Sequence, residues 1–176
     1  ENKLPELLLL AIENQGDEAK AARPVIKAIV ASGNRQMLDE ITPLLTEASP
    51  DLAVKFLDHL HRLTIQENVD LEPSALELTL PFLGEADFET VRTLCSHASR
   101  KEDVRLLADT LSGEGEEAVR YAVTLAGRAD RSNDSEFAKE LLEKATVHVD
   151  SLDAQVARKI KKNLAKKENE LGDNDS

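Results

Sequence analysis

Three cations recur at one place along the chain: Lys55 in "SPDLAVK" (49–55), Arg92 in "DFETVR" (87–92) and Arg120 in "GEEAVR" (115–120). Each follows a cap or corner residue by five or six positions, after Val. A ladder of this kind along one face could hold an acidic peptide or a phosphate. A second concentration of charge lies in "ARKIKKNLAKKENE", where Arg158, Lys159, Lys161, Lys162, Lys166 and Lys167 fall within ten positions with no acid among them. Leu152, Val156, Ile160 and Leu164 stand at spacing four and form an expected buried stripe, which leaves the basic residues to cover the other faces. Basic residues near a helix C-terminus favourably oppose its dipole. The alternative is a patch for nucleic acid or an acidic partner, although no aromatic residue interleaves the lysines to stack a base.

Other chemistries find little support. His59 and His61 are two apart, which on a helix points them to different sides, and His97 and His148 stand alone. Helical metal sites want His at spacing three or four with added carboxylates or cysteines. Cys95 falls on the apolar stripe Val91, Leu94, Cys95, Ala98 and reads as a packed thiol rather than a nucleophile. No glycine loop suited to cradling a phosphate is present. The expectation is a protein that is not an enzyme and takes no cofactor, metal or small-molecule substrate.

Composition narrows the class further. A formal net charge of -12 argues against wrapping duplex nucleic acid, since affinity for phosphate backbones comes mostly from Lys and Arg. A single cysteine excludes an internal disulfide framework. The longest apolar run, Leu7 to Ile12, falls far short of the roughly 20 residues of a membrane span. With no signal-like start, an intracellular protein of the cytoplasm or nucleus is expected, without membrane association. Because the chain opens at Glu1 with no Met, it is expected to be a piece of something longer.

These residues need elements to position them. Leu and Ala dominate, Trp is absent, and there are four Phe and one Tyr, a composition that favours an all-α chain. The stretch "ITPLLTEASPDLAVKFLDHL" carries two prolines, Pro43 inside one helix and Pro50 at the first turn of the next. Ser49 is a suitable N-cap there, and a proline at the first turn gives up an N–H that had no partner. The same device returns 38 residues later, where Pro81 precedes Asp87 as Pro43 precedes Ser49. The intervening residues match in kind, Leu-Leu-Thr-Glu-Ala against Phe-Leu-Gly-Glu-Ala. A period in the 30s built of helix pairs is the mark of an α-solenoid, because one pair alone cannot bury its apolar face. The periodicity predicts helices at 4–14, 18–32, 35–47, 50–64, 74–85, 88–99, 102–112, 116–127, 135–148 and 151–169. The longest connectors in the two halves are Gln66 to Glu72 and Gly127 to Asp134.

At residues 41–98 the pattern resembles HEAT repeats, which carry a proline-bearing first helix, an Asp in the turn and Val-Arg early in the second helix. Here Ser49 stands for one turn Asp, Lys55 for one Arg and Gly115 for another Asp. A fourth segment, "DEAKAAR" at 17–23, keeps Asp17 and Arg23 at the same separation. The resemblance implies a right-handed, armadillo-like superhelix of about five antiparallel helix pairs over residues 1–171, with an acidic disordered tail at 172–176. It also implies structural roles for Asp17, Arg23, Lys55, Asp87, Arg92 and Arg120, the cations reaching turn acids such as Asp17, Asp87 and Glu116. The implied function is a scaffold or regulatory module that binds another protein along its second helices. Asp58, His59, Arg62, Glu89, Thr93, Ser96, Tyr121 and Thr124 are the expected exposed contacts, with Tyr121 as anchor. The alternative is nucleic-acid association through the basic last helix.

Overall fold

A computed structural model of the chain describes residues 30–31, 38–39, 43, 45, 47, 49–148 and 154–174. The helices expected at 4–14 and 18–32 lie outside these residues, with Asp17, Arg23 and Leu152, except that Val30 and Ala31 are helical. Among the described residues no strand occurs. From Pro50 onwards the described residues form α1 (Pro50–Gln66), α2 (Ala75–Thr79), α3 (Phe88–His97), α4 (Lys101–Thr110), α5 (Glu116–Arg131), α6 (Ser135–Val147) and α7 (Ala154–Asn174). Pro43 is helical and exposed.

Local chemistry sets most of the starts. Ser49 caps α1, its Oγ accepting from the Leu52 N–H at 3.3 Å, and Pro50 occupies the first turn. Ser74 and Glu77 form a reciprocal capping box at α2, with bonds of 3.2 and 2.7 Å. Asp87 caps α3 by accepting from the Thr90 N–H at 2.8 Å, so the two corners 38 residues apart do the same work. The Asp87 N–H in turn donates to Asp51 Oδ1 at 2.8 Å, tying the start of α3 to the first turn of α1. The Asp87 carboxyl is held below its ordinary range, chiefly by the Thr90 N–H, then by the Thr90 hydroxyl, with Asp51 and the Lys55 charge adding to it.

Two boundaries differ from the sequence expectation. The helix expected at 74–85 is α helix only through Thr79, continues as a 3-10 turn over Leu80–Phe82, and ends in turns. Pro81 has no N–H to give the Glu77 carbonyl, so the α pattern cannot pass it. Conversely, the loop expected from Gly127 to Asp134 is helix up to Arg131. A helical glycine costs only about 1 kcal/mol against alanine. Fully covered Ala126 and Ala129 continue the buried stripe past it, and Arg128 Nε donates to the Ala98 carbonyl. Asn133, in the left-handed region at φ 59, makes the turn instead.

The chain divides into two compact units, residues 1–91 and 92–176, with the boundary inside α3. In the first, α1 packs on α2 and its 3-10 turn. Phe56, Leu57, Leu60 and Leu63 of α1 form its core with Val30, Leu38, Leu45 and Ala75. In the second, α5 packs on α4 and α6, and α6 also packs on α7. Val119, Ala145 and Ile160 meet there, flanked by Ala122, Val123, Val156 and Ala157. Burial of each large apolar side chain contributes roughly 1.5–3 kcal/mol, which is what these hairpins must set against ordering entropy.

Candidate binding groove

A groove of about 470 Å³ lies where α4, α5 and α6 meet. Alanines open it. Ala108 of α4 and Ala118 and Ala122 of α5 line it where larger side chains would close the gap. Its apolar surface is completed by Val119, Tyr121 and Leu125 of α5 and by Phe137, Leu141 and Ala145 of α6. Polar residues complete the lining: Arg105 and Asp109 stand one turn apart on α4, Lys144 lies in the last turn of α6 and His148 just beyond its end.

Arg105 is fixed in place. Its Nε donates to Asp134 Oδ2 at 3.0 Å, its Nη2 lies 2.8 Å from the same oxygen, and its guanidinium sits 4.4 Å from the centre of the Phe137 ring. Asp134 is the residue before α6, so this pair clips α4 to the α5–α6 corner and covers one face of Phe137 with a cation. Lys144 is exposed and has no acidic partner among the described residues.

Tyr121, expected as an exposed anchor, is only 8% exposed and forms part of the groove wall. It lies on the covered side of α5 together with Leu125. Thr124 is half-buried, its hydroxyl donating to the Arg120 carbonyl. On α1, Asp58 is 7% exposed rather than open, because the helix is covered over a wide arc from Ala53 to Thr64. Its carboxylate is 3.6 Å from Arg62 Nε, and Arg62 Nη2 lies 3.4 Å from His59 Nδ1. His59 is exposed and His61 buried, on different sides of the helix. On α3, Glu89, Thr93 and Arg92 are exposed, Ser96 is half-buried with its hydroxyl on the Thr93 carbonyl, and Cys95 is buried. Lys55 is exposed on α1, and Arg120 turns back to Glu116 of its own corner, Nε to Oε1 at 3.0 Å. Among the described residues no three or more His, Cys, Asp or Glu are grouped as a metal site, and no helix is long and apolar enough to cross a membrane.

Five of the six basic residues expected to form a patch, Arg158, Lys159, Lys161, Lys162 and Lys166, are exposed on α7. Lys167 is not part of it. It is 8% exposed and bonds Asp130 of α5 and, at 2.7 Å, Glu170 of its own helix. Position 167 is seven residues beyond Ile160 and so shares its face, a placement that a stripe counted at constant spacing four overlooks. No known family, curated protein or solved structure matches this chain.

The Lys167 cluster makes stability depend on pH. Its hydrogen bond holds Asp130 below the ordinary carboxylate range, against the opposing pull of burial, and also holds Glu170 down. Burial alone would lower Lys167, but the bonds to Asp130 and Glu170 outweigh it and raise the ammonium. The carboxylate contributions are therefore present above the unfolded carboxylate range and lost as pH falls through the lowered folded values. The lysine contribution is lost only as pH rises through its raised value. Both carboxylates are close to half exposed, so the pairing is discounted for solvent screening. Replacing both, Asp130→Ala with Glu170→Ala, is expected to destabilise the fold modestly at pH 7. That difference should shrink towards pH 3, as read by urea unfolding; an equal loss at both pH values would show a packing effect instead.

Proposed function

We propose that the chain is a non-enzymatic protein-binding module, a HEAT-like array of about five helix pairs, that takes its partner in the groove between α4, α5 and α6. The observation that supports this reading is the groove itself. Lined by alanines, aromatic and aliphatic side chains and a few charged groups, it falls within the size range of recognition sites. The helix pairs packed in each unit and the matching caps at Ser49 and Asp87 agree with a repeat array. In this reading Tyr121 contributes as a wall of the groove.

A second reading, nucleic-acid association, is favoured by one observation on α7. Arg158, Lys162 and Lys166 recur every four residues, all exposed and turned away from buried Ile160, with exposed Lys159 on their flank. One experiment separates the two. The intact chain is used to capture partners from a lysate with and without nuclease, beside an Ala118→Leu variant that fills the groove and a variant with Lys161, Lys162 and Lys166 changed to Glu. Protein partners that survive nuclease and are lost with Ala118→Leu support the groove. Partners lost to nuclease and to the α7 substitutions, in a salt-sensitive way, replace it with the second reading.

A further inference from the structure

We infer that the exposed face of α7 is a cationic rail for the phosphate backbone of a nucleic-acid duplex, which it holds without reading base sequence. This rests on the second reading above and adds the class of nucleic acid; it needs nothing from the groove. Ala154 to Lys167 carries six Lys and Arg and no Asp or Glu. Lys167 turns inward, and Lys166 leans to Glu170 at 3.7 Å. Arg158, Lys159, Lys161 and Lys162 are exposed and have no acidic partner among the described residues, which leaves their charge open to an external anion. Buried Ile160 and Lys167 fix the roll of α7, so Arg158 and Lys162 stand on its outward side with Lys159 and Lys161 on the two flanks. From Arg158 to Lys166 the helix rises about 12 Å. A duplex presents one charge per about 1.7 Å of its axis, so a row of that length meets several phosphates at once. Single strands, by contrast, are held through bases stacked on aromatic rings. No aromatic residue lies on α7, and the four Phe and one Tyr of the chain are all buried or half-buried, so only the backbone is addressed. The formal charge of -12 does not bear evenly on this contact. Residues 92–176 hold 17 acids against 15 Lys and Arg, so most of the excess lies in residues 1–91.

The test is fluorescence anisotropy of the intact chain with a labelled DNA duplex, an RNA duplex of the same sequence and their single strands, over a series of salt concentrations. Duplex binding is expected, with log affinity falling against log salt at a slope of roughly -3 to -4, the value for about four neutralised phosphates. A duplex of scrambled sequence should bind equally well. Lys162→Gln should weaken every duplex alike, by roughly tenfold at about 50 mM salt, and flatten the slope by about one. Lys101→Gln on α4 should change nothing, and circular dichroism checks that both variants fold. Equal affinity for the two duplexes supports recognition of the shared backbone, and a preference for one supports it while naming RNA or DNA as its source. Single strands bound more tightly than duplexes, or affinity that follows base sequence, overturn the duplex class and leave the second reading standing where Lys162→Gln weakens them. Absence of binding at about 50 mM salt, affinity indifferent to Lys162→Gln, or poly-glutamate held more tightly than duplex overturns both.

Discussion

Phe56→Ala is expected to lower the free energy of unfolding by about 3–5 kcal/mol, the largest effect of any single truncation in the first unit. The side chain is 1% exposed and lies among Leu57, Leu60, Leu63, Val30, Leu38 and Leu45. Removing the ring forfeits its transfer out of water and leaves a cavity that helices held by caps at Ser49 and Ser74 cannot readily collapse into. Against the roughly 5–15 kcal/mol that keeps a typical domain folded, such a loss is visible in a urea titration. Phe56→Leu, which keeps most of the volume, should cost much less. Equal and small losses for the two variants would show that α1 does not pack as described.

Ile160→Ala should cost about 2–5 kcal/mol in the second unit. Ile160 is 1% exposed and is the one side chain of α7 in the buried cluster with Val119 of α5 and Ala145 of α6. Val156 and Ala157 flank that cluster while only partly buried, and Lys167 adds a polar tie to Asp130. Loosening is therefore expected to concentrate in α7, and amide hydrogen exchange should quicken there before it does in α5. Ile160→Val, at about 0.5–1.5 kcal/mol, gives the graded comparison. Uniform acceleration along α5, α6 and α7 would mean that they open as one body. Loosening of α7 also bears on the second functional reading, since its exposed basic face would then be carried on a helix without an anchor.

What was legible in the sequence is what neighbouring residues decide among themselves. Ser49, Ser74 and Asp87 each bond an N–H three residues ahead, so a cap at those positions needs nothing from the rest of the chain. The apolar stripes of α1 and α3 likewise repeat within a few turns, which is why the all-helical class and most helix starts agree with the sequence expectation. Pro81 was legible as a device and misjudged in degree, because the missing N–H ends the α pattern within its own turn.

Tertiary structure decided the functional surfaces. Arg105 meets Asp134 across 29 positions and Lys167 meets Asp130 across 37, separations at which periodicity carries no signal. Tyr121 and Asp58 became buried through the width of the arc their neighbours cover, and Gly127 stayed helical because Ala126 and Ala129 had something to pack against. The groove is lined by alanines of different helices. Alanine spacing along one helix is written in the sequence; which alanines line an open volume is set by how three helices pack.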